Sequence, residues 1–203
     1  MILLYAVAAG LALGAATGGR LERLAHVRFR LWPLALFGLA FQVVLFNGPL
    51  GAAAGDLAPL LYVGSSLLVL LALLPNVGLP GLWLLALGAI LNQAAIVSNG
   101  GWMPASPDAF AALTGGMNPP TQAFGNSVMA GEGTALAFLG DNFAVPRLLP
   151  LANVFSVGDV LIGLGAVAFL VHHMRAAPEV EPPAEPETDP AGAPDLRARR
   201  FPA

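Results

Sequence analysis

The sequence predicts an all-α fold, a polytopic transmembrane bundle of five helices with a long extracytoplasmic loop and a disordered C-terminal tail. Of the 203 residues, 57% are hydrophobic and only 10% are charged, whereas about a quarter of an average soluble domain is charged. The apolar residues form five stretches, which approach the length of about 20 residues that crosses a bilayer. A water-soluble globule of this size could not cover its surface with so few charges.

The first of the five predicted spans carries a face of small residues; the spans cover residues 2–18, 32–47, 57–75, 81–98 and 151–173. No basic residue precedes the first span, so we expect a retained anchor rather than a secretory signal peptide. Gly10, Gly14 and Gly18 recur at four-residue spacing, which leaves a groove where another backbone can approach closely. We expect a helix of the same chain at this groove; the alternative is a homo-oligomer or a partner membrane protein.

The next three spans are separated by short connections. Pro33 falls in the first turn of the second span, where the missing N–H costs little. Pro75 and Pro80 bracket a tight turn between the third and fourth spans. We therefore expect the third and fourth helices to run antiparallel as neighbours.

The distribution of Arg predicts the orientation, because the cytoplasmic loops of membrane proteins carry the excess of positive charge. The linker after the first span holds Arg20, Arg23, Arg28 and Arg30 against a single acid. We therefore expect this linker in the cytoplasm, with the N-terminus outside and the C-terminus inside. The expected location is the inner (plasma) membrane of a bacterial cell.

The predicted outer loop, residues 99–150, is much longer than an ordinary connection, and such loops usually carry function or lack order. Ser106, Pro107 and Asp108 predict a helix start, and the helix is expected to end at Gly115-Gly116. The apolar run 134–140 is too short to span, and it is expected to lie in the interface or to re-enter the bilayer. We expect the loop to form an ordered lid.

The chain divides into a transmembrane domain, residues 1–175, and a tail, residues 176–203. The tail holds six acids, three Arg and seven Pro. Such a composition cannot bury enough apolar surface to offset the entropy lost on ordering. The tail is therefore predicted to be disordered and cytoplasmic.

Polar residues inside the predicted spans give the candidate ligand site. Asp159 is the one carboxylate well inside a span, where a charge costs about 2.5–3.5 kcal/mol and marks a functional hypothesis. Asn153 and Ser156 precede it at three-residue spacing, so the three residues are expected to share one helix face. All of them are expected in the outer half of the bundle, beneath the loop, together with Gln42, Asn92, Gln93 and Asn99. Two candidates from the loop itself, Trp102 and Asp141, complete the predicted site.

Composition excludes several classes of function. The absence of Cys excludes disulfides, thiolate metal sites and a Cys nucleophile. The three His lie far from the buried acids, so no metal site and no hydrolase triad is expected. The formal net charge is −3, which argues against nucleic-acid binding. No cofactor motif is present, so no cofactor is predicted and no catalytic residue is assigned.

Two motifs carry a resemblance to a known family. They are NGGWMP, residues 99–104, and NVFSVGDVLI, residues 153–162, which opens the last predicted span. With Gly140-Asp141 and Asn126, they resemble an uncharacterised family of bacterial integral membrane proteins, a domain of unknown function. The resemblance runs from about residue 1 to residue 173, and it implies five spans with the same long loop. It implies no activity, ligand or partner.

Three hypotheses for function follow. The first is non-enzymatic: a membrane protein that binds a small polar ligand, a lipid headgroup or a partner helix in an outward-facing polar chamber. The second is an oligomeric proton- or cation-coupled transporter that uses Asp159. The third is a membrane-embedded enzyme that uses Asp141 and Asp159 as acid and base. An outer-loop acid that reaches the chamber would favour the enzyme.

Overall fold

The structure is a computed structural model that describes residues 2–117 and 125–175, and it is mostly helical. Long helices occur at all five positions where the sequence predicts spans; they are α1 (Ile2–Ala16), α2 (Trp32–Asn47), α4 (Ala58–Leu73), α5 (Leu82–Ser98) and α7 (Val157–Arg175). The predicted tail, residues 176–203, lies outside the described residues, as does the stretch 118–124 of the long loop.

Shorter elements fill the connections. In the described part of the chain, the short helices are α3 (Pro49–Ala54) and α6 (Pro107–Thr114), and 3₁₀ turns cover Leu21–His26, Gly55–Leu57, Leu74–Asn76 and Ala137–Leu139. The long loop contributes the strands β1 (Met103–Ala105), β2 (Ser127–Met129), β3 (Phe143–Ala144) and β4 (Val154–Phe155). Strand β1 pairs in parallel with β2, and β3 pairs antiparallel with β4. These ladders give the described parts of the loop a fixed shape.

The predicted helix in the long loop is confirmed as α6. The side chain of Ser106 accepts a hydrogen bond from the backbone N–H of Ala109 at 3.0 Å, and Pro107 occupies the first turn. The helix ends at Gly115, which adopts the left-handed conformation that favours glycine. A serine cap, an N1 proline and a terminal glycine are local signals, which explains why the sequence alone located this element.

The long helices pack in the order α1, α7, α5, α4 and α2. Gly10 of α1 lies against Leu170 of α7, and Gly14, one turn later, lies against Met174, also one turn later. Both helices therefore run in the same direction. Helices α5 and α7 run in opposite directions, since Gly81 lies against Gly165 and Gly88 against Gly158.

The small-residue face of α1 is used within the chain. Ala6, Gly10 and Gly14 are buried, and a side chain at Gly10 or Gly14 would press on α7. Gly18 does not belong to this face, which corrects the prediction. The helix ends at Ala16, and Gly18 adopts a positive φ in the following turn, where no described residue lies within 4 Å of an added Cβ.

The basic linker is fastened to the C-terminal end of α7. The backbone N–H of Arg20 donates to the carbonyl of Met174 at 2.8 Å, and the Arg23 guanidinium donates to the carbonyl of Arg175 at 2.9 Å. Asn76, just after α4, exchanges hydrogen bonds with the backbone of Arg30 at 2.8 Å. The linker, the turn after α4 and the end of α7 therefore share one end of the bundle, opposite the long loop.

Within residues 2–117 and 125–175, two helical segments are long and apolar enough to cross a membrane by length and composition: Gly55–Asn76, which contains α4, and Val157–Arg175, which is α7. Helices α1, α2 and α5 are apolar but shorter, and their sequences contain no acidic or basic residue. Large apolar side chains are exposed on the bundle surface; Phe37 on α2 is 59% exposed and Leu60 on α4 is 68% exposed.

The last helix begins later than predicted. The sequence interpretation started the span at residue 151, but α7 begins at Val157, after an extended segment in which β4 pairs with β3. Asn153 therefore precedes the helix and cannot share a helix face with Asp159, and Asp159 lies in the first turn of α7. The expected position of Asp159, well inside a span, is wrong for the same reason.

Candidate functional site

A polar cavity lies where α4, α5 and the start of α7 meet the long loop. Its volume is about 350 Å³, which falls in the range of small-molecule sites. Four of the predicted site residues line this space: Asn92, Asp141, Asn153 and Asp159. The full lining comprises Tyr62, Asn92, Ile96, Met103, Gly125, Asn126, Ser127, Asp141, Asn153, Val154 and Asp159. We call this space the polar cavity.

A capping box positions Asp159. The hydroxyl of Ser156 accepts a hydrogen bond from the backbone N–H of Asp159 at 2.9 Å, and the Asp159 carboxylate accepts one from the backbone N–H of Ser156 at 3.1 Å. This reciprocal pair satisfies two N–H groups that the helix itself leaves free. The spacing of Ser156 and Asp159 is therefore the signature of a helix start, and the carboxylate has a structural function in addition to its place in the cavity wall.

Asn92 ties the capping box to α5. Its amide nitrogen donates to the Asp159 carboxylate at 2.9 Å, and its amide oxygen accepts from the Ser156 hydroxyl at 2.8 Å. The two helices approach closely here because Gly158 faces Asn92; a side chain at Gly158 would collide with the Asn92 amide. The orientation of the Asn92 and Asp159 side chains is thus fixed by hydrogen bonds from both helices.

Asp141 reaches the polar cavity from the long loop. Its backbone N–H donates to the carbonyl of Pro104 at 2.8 Å, and its carbonyl accepts from the N–H of Ser106 at 3.0 Å. The side chain is buried and accepts a hydrogen bond from the Ser127 hydroxyl at 3.3 Å. Burial, and then the negative charge of Asp159, raise the pKa of the Asp141 carboxyl to about 7, although the bond from Ser127 lowers it.

Sequence reasoning missed three polar groups of this site. Tyr62 is buried, and its ring packs edge-on against Phe46 at a centroid distance of 5.0 Å. Its hydroxyl accepts a hydrogen bond from the Asn126 side chain at 3.0 Å. Ser127 follows in β2 and contacts Asp141. The sequence contains one weak indication that Tyr62 faces the interior: it lies one helical turn before the polar residues Ser65 and Ser66.

A second cavity lies among the helices, and we call it the helix cavity. Its volume is about 240 Å³, and residues of α1, α2, α4, α5 and α7 line it. Gln42 and Gln93, two predicted site residues, belong to this cavity rather than to the polar cavity. The Ser66 hydroxyl donates to Gln93 Oε1 at 2.6 Å, whereas the buried Gln93 Nε2 has no hydrogen-bond partner among the described residues.

The remaining predicted site residues have structural positions outside both cavities. Ser156 is fully buried and acts through its hydrogen bonds to Asn92 and Asp159. Asn99 holds the long loop, because its side chain both donates to the carbonyl of Ala135 at 2.8 Å and accepts from the N–H of Ala135 at 3.0 Å. Trp102 is half-buried and lines neither cavity.

The chemistry of the polar cavity is that of an acceptor-rich site. Two carboxylates, three amides and two hydroxyl groups line it, and none of its described lining residues is Arg, Lys or His. Within residues 2–117 and 125–175, no group of three or more His, Asp or Glu side chains is arranged to hold a metal ion. Such a lining favours a ligand that donates hydrogen bonds or carries a positive charge.

The chain belongs to a family of unknown function, DUF5317, whose sequence model matches residues 26–171. This confirms the resemblance to a domain of unknown function. No curated protein and no solved structure matches the chain. Every residue that lines the polar cavity falls inside the matched range, whereas α1 and the tail fall outside it.

Proposed function

We propose that the protein is a bacterial integral membrane protein with five spans, its N-terminus outside and its C-terminus in the cytoplasm. The support is the surface of the bundle, because exposed Phe, Leu and Val side chains on uncharged helices are unfavourable in water and favourable in lipid. Two helical segments meet the length and composition of a span. The 3₁₀ turns on both sides of α4 are what bring this segment to the length of a span.

The proposed orientation is supported by the ends of the bundle. Arg20, Arg23 and Arg175 lie together at one end, as the positive-inside rule requires of a cytoplasmic face. Trp32 and Trp83 begin α2 and α5 at the same end and are more than half exposed. Tryptophan is enriched at membrane interfaces, because its ring is amphipathic.

We propose that this membrane protein is a non-enzymatic binding protein whose ligand is a small molecule with a positively charged group, held in the polar cavity. The observation that carries this proposal is the lining of the cavity, where Asp141 and Asp159 face a space without a basic side chain among its described residues. A lipid headgroup of the same charge fits equally. A partner helix does not, because a helix is about 10–12 Å across and cannot enter a space of about 350 Å³.

The test is ligand binding by the full chain in lipid nanodiscs, with ethylammonium as the probe. The wild type should bind ethylammonium, and Asp141→Asn should bind it about 10- to 100-fold more weakly, the worth of a hydrogen bond to a charged group. Asp108→Asn is the matched control, since Asp108 is an exposed loop acid that does not line the cavity. Equal binding by wild type and Asp141→Asn would contradict the proposal.

An enzyme is the second candidate, because an outer-loop acid does reach the cavity. Asp141 and Asp159 line the same space, and a carboxyl pKa of about 7 suits a general acid or base at neutral pH. Mass spectrometry of molecules copurified with each variant separates the two functions. A binding protein with Asp141→Asn should lose its ligand, whereas an enzyme with this change should accumulate a different species, its unreacted substrate.

A transporter that uses Asp159 has less support. Both oxygens of the Asp159 carboxylate accept hydrogen bonds, one from Asn92 and the other from the backbone of Ser156. A cation that passes through the site on this carboxylate would have to replace the hydrogen bonds that hold the start of α7. We therefore rank the transporter below the binding protein and the enzyme.

A further inference from the structure

The helix cavity adjoins the polar cavity, and the proposed function leaves it unused. Tyr62, Asn92, Ile96 and Asp159 line both spaces, so these four side chains are the boundary between them. On one side of the boundary, the loop supplies carboxylate, amide and hydroxyl groups. On the other side, the helices supply mainly aliphatic side chains. A polar compartment and a mainly aliphatic compartment thus share a boundary.

The helix cavity also reaches the apolar surface of the bundle. Helices α1 and α2 stand at the two ends of the packing series, yet both contribute to the lining. Their contributions include Leu3 and Leu39, which are 38% and 47% exposed. In the proposed orientation this surface faces the hydrocarbon of the bilayer. A hydrocarbon chain could therefore enter the helix cavity from the membrane.

We propose that the ligand is a single-chain amphiphile whose ammonium head occupies the polar cavity and whose hydrocarbon chain occupies the helix cavity. This inference rests on the proposed function, because it takes the polar cavity as the binding site. The two carboxylates select the positively charged head, and the aliphatic lining of the helix cavity selects the chain. The head would lie beside Asp159 and Asn92, at the boundary between the two spaces.

The volume of the helix cavity limits the chain. A methylene group occupies about the volume of a water molecule, roughly 30 Å³. The helix cavity of about 240 Å³ therefore accommodates roughly eight methylene groups. This volume suits one short chain and excludes a second one.

The test compares primary alkylammonium ions of increasing length, from ethylammonium to dodecylammonium, on the full chain in nanodiscs. Empty nanodiscs give the background from partition into lipid. Affinity should rise about fourfold for each added methylene group, from the transfer of hydrocarbon out of water. The rise should stop at about eight carbons, when the helix cavity is full.

Filling the helix cavity should remove the dependence on chain length. Ala89 lines the helix cavity but not the polar cavity, so Ala89→Phe should weaken octylammonium binding at least tenfold and leave ethylammonium binding unchanged. Val69→Phe fills the same space from α4 and serves if Ala89→Phe does not fold. Ala8→Phe is the matched control, since Ala8 is exposed on α1 and lines neither cavity.

The outcomes separate this inference from the function on which it rests. If octylammonium and ethylammonium bind the wild type equally, the helix cavity takes no chain and the inference is wrong, while the binding function stands. The same conclusion holds if folded Ala89→Phe or Val69→Phe keeps the dependence on chain length. If neither ion binds above the background of empty nanodiscs, the proposed function itself is wrong, and the inference falls with it.

Discussion

The carboxylate of Asp159 is shared between the start of α7 and the wall of the polar cavity. One oxygen accepts from the backbone of Ser156 and the other accepts from Asn92. The same residue therefore stabilises a helix terminus, joins α5 to α7 and contributes negative charge to the site. A substitution at this position tests these functions separately.

Asp159→Leu should destabilise the protein by about 1–3 kcal/mol, because it leaves the Asn92 amide and the Ser156 N–H without their acceptor. Asp159→Asn keeps an oxygen for the helix start, so it should cost less in stability but should weaken ethylammonium binding. Thermal unfolding in detergent and the nanodisc binding assay measure the two effects. A stable Asp159→Leu protein with wild-type binding would exclude Asp159 from the site.

Asp141 should make the stability of the protein depend on pH. Its pKa is about 7 in the folded protein and about 3.8 in the unfolded chain. Between these values the folded state holds a proton that the unfolded state has released, so the free energy of unfolding should fall as the pH rises from about 4 to about 7. Unfolding of the wild type and of Asp141→Asn, measured across this range, should show the fall in the wild type alone.

The control for this experiment is Asp108→Asn, which removes an exposed acid from the same loop. It should keep the pH dependence of the wild type. A wild-type protein whose stability is constant between pH 4 and pH 7 would show that folding does not raise the pKa of the Asp141 carboxyl. An Asp141→Asn protein that retains the fall would show that another group causes it.

At the scale of the elements, glycine sets the distance between α5 and α7. A side chain at Gly88 would collide with the backbone carbonyl of Gly158, and one at Gly165 would press on the backbone of Gly81 and Leu85. Both contacts involve backbone atoms, which cannot turn aside as the end of a flexible side chain can. Close packing of these two helices is what brings Asn92 to the capping box of α7.

Gly88→Leu should therefore destabilise the bundle by at least about 1–3 kcal/mol, the usual cost of overpacking, and should reduce ligand binding by moving Asn92 away from Asp159. The matched control is Gly64→Leu, because Gly64 is an exposed glycine of α4 and no atom of the described residues lies within 4 Å of an added Cβ. Thermal unfolding of both variants measures the difference. Equal stability of the two variants would contradict the packing of α5 against α7.

At the scale of the whole molecule, the two ends of the bundle differ in the side chains that they carry. The end with the linker holds Arg side chains and exposed Trp, whereas the opposite end holds the loop and the polar cavity. If the bundle crosses a membrane, the distribution of Arg fixes which end faces the cytoplasm.

Reporter fusions test this orientation. A fusion after Arg175 should be active as a cytoplasmic reporter, and an insertion at Gly131 in the long loop should be active as a periplasmic one. Alkaline phosphatase and green fluorescent protein, used at each site, give opposite readouts. A C-terminal fusion active in the periplasm would overturn both the number of spans and the orientation.

The sequence by itself located the five long helices, apart from the start of α7, and it located the start of α6. Helix positions follow from the length of apolar runs, and caps follow from residues within one turn, so both depend on local information. Local information gave a wrong prediction for Asp159, which was expected to share a helix face with Asn153 and Ser156. A three-residue spacing is typical of a helix face and equally of a capping box. Only the start of the helix at Val157 distinguishes the two.

The tertiary structure alone decided which loop residues reach the polar cavity. The N–H of Met103 donates a hydrogen bond to the carbonyl of Asn126, and the N–H of Asp141 donates one to the carbonyl of Pro104. Each of these bonds joins residues more than 20 positions apart. Nothing within one turn of these residues encodes such pairing. The hydrogen bond between Asn126 and the Tyr62 hydroxyl also depends on this pairing, because Asn126 directly precedes β2. Local sequence thus fixed the helices, and long-range backbone hydrogen bonds assembled the site.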